Sequence, residues 1–104
     1  MDNPNLNFTL VEDAGVLRMS GRLDIYATEE ARAGLIEHLN VAKSMRLDLS
    51  GVAACDAAGV QLLWAARQSA VQAGQPFAAE GASAVRECCA QFGLSPDFLE
   101  PWTA

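Results

Sequence analysis

Four short segments of the chain carry the apolar and polar spacing of β-strands. The predicted strands cover residues 7–12, 16–21, 44–51 and 76–81. A Glu-Asp-Ala-Gly turn separates the first two and predicts an antiparallel hairpin. In the third segment Met45, Leu47 and Leu49 alternate with polar residues, so one face of that strand is expected to be buried. The dipeptide Ser50-Gly51 predicts a turn that ends this strand.

Apolar residues at helical spacing, with capping and stop signals, predict three helices. The helices cover residues 28–40, 57–73 and 82–92. Thr28, Asp56 and Ser83 stand where helix N-caps are expected. Gly74 and Gly93 supply C-terminal stops for the second and third helices. The apolar stripe of the first helix consists of Ala31, Leu35 and Leu39, with Ile36 beside them.

The resulting order, β-β-α-β-α-β-α, predicts an α/β domain with a mixed four-stranded sheet and about three helices packed against it. No linker, repeat or low-complexity segment interrupts the sequence, so we expect one domain over residues 1–104. From about residue 95 the chain is expected to form an irregular tail, which Trp102 packs against the body.

The second helix has one side suited to packing and one suited to exposure. At 100° per residue, the residues expected to face the sheet are Gly59, Leu63, Ala66 and Ala70, flanked by Val60 and Leu62. The opposite side consists of Ala57, Gln61, Ala65, Gln68 and Gln72, with Trp64 at its margin. A tryptophan beside small uncharged residues is typical of a protein interface. The alternative is that Trp64 folds over the helix flank against a loop and is half-buried.

Composition narrows the functional classes. Seven Lys and Arg against thirteen Asp and Glu give a net charge of −6, without a basic cluster, which argues against a nucleic-acid partner. No apolar run reaches the roughly 20 residues that span a bilayer, and the first residues lack the features of a signal peptide. We therefore expect a cytoplasmic protein without direct membrane insertion. The acidic surface favours a monomer or a weak dimer.

Few side chains offer catalytic or metal-binding chemistry. The one histidine, His38, is expected on the surface near the end of the first helix. Cys55 is expected to pack inward. Cys88 and Cys89 are adjacent on a helix, so at most one is expected to face the core, and apolar packing is favoured over a disulfide. Without a phosphate-binding loop or metal-ligand spacing, we expect no enzyme activity, cofactor or metal.

Two motifs resemble those of a known family. Residues 47–63, Leu-Asp-Leu-Ser-Gly-Val-Ala-Ala-Cys-Asp-Ala-Ala-Gly-Val-Gln-Leu-Leu, resemble the signature of STAS domains, the fold of bacterial anti-sigma factor antagonists. That signature is a strand ending in D-L-S-G-V, a short loop, and D-S-x-G-L at the start of a helix. Gly21-Arg22-Leu23-Asp24 resembles the family's G-x-L-D after its second strand. Because the element order also agrees from Phe8 to about Leu94, the resemblance covers nearly the whole chain.

The resemblance implies a place in a switch controlled by phosphorylation. In the family, the serine after the motif's aspartate is phosphorylated by a partner kinase that also holds a sigma factor. Here Asp56 matches the aspartate and Gly59 the glycine. Ala57 takes the phosphoacceptor position and Ala58 the variable one. Because alanine has no hydroxyl, the chain resembles either an antagonist that is always unphosphorylated or a STAS domain used in another assembly.

By resemblance, the expected partner is an anti-sigma factor kinase of the histidine-kinase-like ATPase type, which itself holds ATP. The expected partner-binding residues are Asp24, Asp56, Ala57, Ala58, Gln61, Trp64 and Gln68. Asp24 and Asp56 are expected to converge at the modification position. Two alternatives stay open. One is an accessory subunit of a phospholipid-transport ABC complex or a chemotaxis-kinase system. The other is a module that binds a small ligand such as a nucleotide or a lipid.

Overall fold

The computed structural model describes residues 8–96 and residue 99. Within them the strands are β1 (Phe8–Asp13), β2 (Val16–Leu23), β3 (Met45–Cys55) and β4 (Phe77–Glu80). The helices are α1 (Thr28–Ala42), α2 (Ala57–Gln72) and α3 (Ser83–Gln91). The predicted order of elements is confirmed. Most of the predicted tail, including Trp102, lies outside the described residues.

The strands form one mixed sheet in the order β1-β2-β3-β4. β1 pairs antiparallel with β2, as the predicted hairpin, and the other two pairs are parallel. Parallel neighbours require crossovers, which α1 and α2 supply by packing back on the sheet. Met45, Leu47 and Leu49 face these helices and are at most 1% exposed, so their predicted burial is confirmed.

β3 continues through Ser50-Gly51 to Cys55, so the predicted turn at that dipeptide is wrong. The strand stays paired with β2 across this point because it takes up extra residues as β-bulges. As a result the buried residues Leu49 and Val52 are three positions apart instead of two. Gly51 permits the close approach of the two strands, since a Cβ atom there would lie 3.1 Å from the Met19 carbonyl oxygen and 2.5 Å from the Ser20 hydroxyl of β2.

The N-cap predictions hold for α2 and fail for α1 and α3. Asp56 caps α2 through its side chain. In α1 and α3 the N-cap positions are occupied by Ala27 and Ala82, without a side-chain hydrogen bond. Thr28 lies inside α1, where its hydroxyl donates to the Ile25 carbonyl at 3.0 Å. The Ala27 N–H donates to the carbonyl of residue 24 at 2.9 Å, and the turn that it closes places the N-cap of α1 one residue earlier than predicted.

His38 is buried, at 2% exposure, which corrects the prediction of a surface position. After Leu35, the next buried residue of α1 is His38, and Leu39, which was predicted to be in the apolar stripe, is only partly buried. The Nδ1 atom of His38 bonds to the Glu12 carboxylate at 2.5 Å, and Nε2 accepts the backbone N–H of Arg46 at 3.4 Å. Because both ring nitrogens have partners, the imidazole is accommodated beneath the helix without an unsatisfied polar atom.

Cys88 and Cys89 are both buried, at 3% and 0% exposure, so the prediction that at most one faces the core is wrong. α3 packs against β3 and α2. The chain after α3 also contacts it, because Arg86 donates to the Leu99 carbonyl at 2.9 Å. Although they are adjacent on the helix, Cys88 and Cys89 therefore both pack against other parts of the protein. Together with Cys55, these residues are free thiols.

Asp48 lies on the sheet face away from α1 and α2. Its carboxylate is expected to contribute to the free energy of unfolding in a way that depends on pH. The hydroxyl and backbone N–H of Ser50 donate to its carboxylate at 2.6 and 3.0 Å and lower the pKa of Asp48, with a smaller contribution from Arg18. A carboxylate with a lowered pKa in the folded state stabilises the fold above its unfolded pKa of about 3.9. That stabilisation is lost as the pH falls through the folded pKa.

We expect Asp48→Asn to lower the free energy of unfolding by about 1 kcal/mol at pH 7. The difference from the wild type should shrink steadily below pH ~4. Urea titrations between neutral and acidic pH measure both quantities. Asp13→Asn removes the same charge from the end of β1 and serves as the control. A difference that is constant with pH would contradict the role of the lowered pKa.

Candidate functional site

Asp56 joins the start of α2 to the loop that follows β2. Its Oδ1 atom accepts the Gly59 N–H at 3.0 Å and so caps the helix. Its Oδ2 atom accepts the Ile25 N–H at 3.1 Å. The backbone N–H of Asp56 also donates to the Leu23 carbonyl at 3.3 Å. One carboxylate therefore fixes the position of the 24–26 loop relative to the helix N-terminus.

Asp24 organises the same loop from within. Its Oδ1 atom accepts the Tyr26 N–H at 3.0 Å, and its Oδ2 atom lies 3.5 Å from Nε of Arg22. Asp24 and Asp56 thus bind neighbouring backbone N–H groups, and the structure brings them together as expected. Because every oxygen of the two carboxylates has a partner within the chain, we assign both residues a positioning role in this surface.

Gly59 sets how closely α2 approaches the end of β2. A Cβ atom at this position would lie 2.4 Å from the Leu23 carbonyl oxygen and 2.9 Å from Sγ of Cys55. The contact with the carbonyl is with rigid backbone, so only glycine fits without moving the helix. The motif's glycine is thereby explained by packing at the helix start.

The cysteines behind this helix start are packing groups. Cys55 is half-buried, and burial is the main cause that raises its pKa to about 12. Burial also raises the pKa of Cys88, and the Cys55 thiol donates to the Asp56 carbonyl at 3.4 Å. Both thiols are protonated at neutral pH and are poor nucleophiles in that form. The expected apolar packing role accounts for them.

The exposed side of α2 matches the helical projection. The fully buried residues of the helix are Gly59, Val60, Leu63, Ala66 and Ala70. On the opposite side Gln61 is exposed, and Ala57, Ala58 and Gln68 are partly exposed. Trp64 is 51% exposed. All seven residues selected from the sequence lie on this side of α2, at its cap or in the loop bound to it, so they form one surface.

Two residues of this surface were not selected from the sequence. Ile25 and Tyr26 are 63% and 72% exposed, although both are large and apolar. They lie in the loop that Asp24 and Asp56 hold through backbone N–H groups. The signal was present in the sequence as two bulky residues between a strand and a helix, outside the periodicity of either. An exposed apolar pair on a fixed loop is typical of a protein-binding surface.

A cavity of about 310 Å³ lies beside Trp64. It is lined by Val60, Gln61, Trp64, Leu94 and Ser95. Leu94 is 41% exposed and the neighbouring Phe92 is 55% exposed, so apolar surface extends from α2 to the end of α3. Trp64 borders this cavity and offers about half of its side chain to solvent.

The described residues contain no group of three or more His, Cys, Asp or Glu side chains that could hold a metal ion. In the same part of the chain, no helix combines the length and apolar character needed to cross a bilayer. The surface itself consists of exposed apolar side chains beside uncharged polar ones, on a backbone that two carboxylates hold.

Comparisons with known proteins agree with the fold. A family model described as "Mlab, STAS domain" matches residues 6–100. An anti-sigma factor antagonist from Mycobacterium paratuberculosis has a similar structure, with a TM-score of 0.62 and 24% identity over 91% of this chain and 85% of that one. A protein from Thermotoga maritima, described as a proposed anti-sigma factor antagonist, gives a TM-score of 0.58 and 14% identity over 97% and 90% of the two chains. No curated protein sequence matches.

Proposed function

The chain belongs to the STAS domain family, and from that premise we propose that it is an anti-sigma factor antagonist that acts by binding and not by catalysis. Its partner is an anti-sigma factor kinase of the histidine-kinase-like ATPase type, and ATP is held by that partner. Binding the kinase releases the sigma factor and permits transcription in the cytoplasm. The similarity of fold to anti-sigma factor antagonists supports this proposal.

The observation that carries the proposal is the loop held by Asp56 against the α2 N-terminus. Its two hydrogen bonds, to the Ile25 and Gly59 N–H groups, present Ile25 and Tyr26 next to the first turn of α2. A preformed loop loses little conformational entropy on binding, so its exposed side chains contribute more fully to affinity. In this proposal Ile25, Tyr26 and Trp64 make the main contacts, and Gln61 and Gln68 supply hydrogen bonds.

Ala57 removes the usual means of release. A phosphate at the first turn of α2 would add a charge of about −1.5 to −2 at the centre of the surface. The hydroxyls of Thr28 and Ser50 already donate within the chain, to the Ile25 carbonyl and to the Asp48 carboxylate. We therefore propose that the domain stays competent to bind its kinase, so that its abundance and not its phosphorylation sets the output.

Trp64→Ala tests the binding surface. Titration calorimetry with purified kinases of this type from the same genome should show affinity at least about tenfold weaker than wild type, because the variant loses a large aromatic contact. Gln61→Arg should weaken binding as well, since it places a charge in an uncharged surface. Val41→Ala truncates a side chain that is 75% exposed on α1 and should leave affinity unchanged. Equal affinities of Trp64→Ala and wild type would exclude this surface.

Ala57→Ser tests the missing switch. With ATP and a kinase that binds the wild type, the variant should take up close to one phosphate per chain, while the wild type takes up none. The phosphorylated variant should then bind more weakly, because the added charge is desolvated at the interface. Phosphate on the wild type, for example at Ser50, would refute the constitutive form of the proposal.

A second candidate function is a STAS accessory subunit of a phospholipid-transport ABC complex or a chemotaxis-kinase system. Ala57 favours it specifically, because a subunit held permanently in an assembly needs no phosphoacceptor. Titration with the transport ATPase and with the chemotaxis kinase of the same genome separates the candidates. Binding to either one, together with no binding to any anti-sigma factor kinase, would replace the first proposal.

A further inference from the structure

The exposed side of α2 has the residue spacing of a helix-pairing seam. The seam consists of Ala57, Gln61, Trp64, Gln68 and Val71, separated in turn by four, three, four and three residues. This alternation keeps successive side chains in line along a helix and is the spacing by which two helices pack together. Trp64 and Val71 are 51% and 55% exposed, so the seam presents apolar area along its length.

The seam also lacks charge. Among the 16 residues of α2, Arg67 is the one charged side chain, and it lies outside the seam. Surface helices normally carry charged residues on their solvent side, and loss of charge marks the centre of interfaces. Since the chain carries a net charge of −6, an uncharged face is where two copies can approach with least repulsion.

We propose that the seam is a self-association surface on which the α2 helices of two copies pack antiparallel about a two-fold axis at Trp64. Such an axis places Ala57 of each copy opposite Val71 of the other, and it brings Gln61 to within one residue's rise, about 1.5 Å, of the level of Gln68. The small Ala57 thus packs against the larger Val71. The side-chain amides of Gln61 and Gln68, each with a donor and an acceptor, can form hydrogen bonds with each other. The pattern is self-complementary, which is what a two-fold interface requires.

The cavity beside Trp64 fits the same arrangement. It lies on one flank of α2, between Val60 and Leu94. A two-fold axis perpendicular to antiparallel helices keeps each flank opposite the same flank of the second copy. The indole of one copy therefore faces the cavity of the other, which offers about 310 Å³. Filling it buries Trp64 and adds apolar contact with Leu94.

Self-association is a property of the protein alone and does not depend on the proposed kinase partner. An interface made largely by one helix from each copy is smaller than the standard interface of about 1,600 Å², so the dimer is expected to be weak and in rapid exchange. The dimer covers Trp64 and Gln61, so kinase binding requires its dissociation. Self-association and kinase binding are measured separately, and failure of one leaves the other standing.

Charge substitutions at the Gln61 and Gln68 pair test the two-fold arrangement. We expect sedimentation equilibrium of the full chain, at concentrations up to about 1 mM, to show a monomer–dimer equilibrium. Gln61→Glu with Gln68→Glu places like charges together twice and should weaken the dimer at least about tenfold. Gln61→Glu with Gln68→Lys places opposite charges together twice and should strengthen it several-fold. Parallel helices would instead set like charges together in this second variant.

Thr9→Glu with Ala33→Glu is the matched control. It adds two negative charges at exposed positions of β1 and α1, away from the seam. The dissociation constant of the dimer should therefore change little. Circular dichroism and thermal melting establish that each variant is folded. A wild-type chain that stays monomeric throughout would overturn the proposal. So would a dimer whose strength is the same in the two seam variants, or one that the control weakens equally.

Discussion

Replacing Gly59 by alanine is expected to lower the free energy of unfolding by about 3 kcal/mol. In an ordinary helix interior the same change would stabilise the protein by roughly 1 kcal/mol, because alanine is the better helix former. Here the new Cβ atom would lie 2.4 Å from the Leu23 carbonyl oxygen and 3.0 Å from Cγ of Leu23. Relief requires α2 to move away from the end of β2, which breaks contacts along the helix.

Gly34→Ala is the matched control for this prediction. Gly34 also lies within a helix, α1, and a Cβ atom there would lie 2.5 Å from Cδ1 of Leu10. That atom is the tip of a flexible side chain, which can rotate away, so the cost should stay within about 1 kcal/mol. Urea unfolding of the wild type and both variants measures the difference. A Gly59→Ala variant as stable as Gly34→Ala would show that the helix start is free to shift.

Asp56→Ala is expected to cost about 2–3 kcal/mol of stability. Loss of an N-cap side chain accounts for about 1 kcal/mol. A further 1–2 kcal/mol follows from loss of the charge-assisted bond to the Ile25 N–H. Because that bond holds the 24–26 loop, amide hydrogen exchange at Ile25 should accelerate beyond what the global loss of stability explains. Thermal unfolding and exchange measured by NMR report the two effects.

Asp56→Asn separates the two roles of this carboxylate. An asparagine side chain has one acceptor oxygen, so it can cap α2 through the Gly59 N–H but cannot also accept from Ile25. We expect about half the loss of stability seen with alanine, together with nearly the same acceleration of exchange at Ile25. If Asp56→Asn protected Ile25 as the wild type does, the clamp on the loop would not depend on the second oxygen.

Local patterns in the sequence were sufficient for most of the secondary structure. The alternation of Met45, Leu47 and Leu49 predicted the buried side of β3, and the spacing of Leu63, Ala66 and Ala70 predicted that of α2. Periodicity succeeds in these elements because each lies against one continuous layer. The Asp56 cap was also predictable, since its bond to Gly59 spans three residues.

Two predictions failed because a distant segment decided the outcome. Ser50-Gly51 has the composition of a turn, but β3 stays paired with β2 on both sides of it, and the extra residues of β3 form bulges. His38 is polar and close to a helix end, but Glu12 of β1 and the backbone of Arg46 satisfy both ring nitrogens in the core. Glu12 and Arg46 are 26 and 8 residues from His38 in the chain. These separations exceed the three- and four-residue spacing of a helix and the two-residue spacing of a strand.

The sequence by itself determined the order of elements, the family and the absence of a hydroxyl at Ala57. These depend on residue type, short-range spacing and motif. Only the tertiary structure decided that the Asp56 carboxylate would hold a loop 31 residues away in the chain, and that Ile25 and Tyr26 would therefore stand exposed beside α2. Burial and hydrogen bonding between distant segments depend on which segments the fold places together, and a one-dimensional pattern carries no measure of that distance.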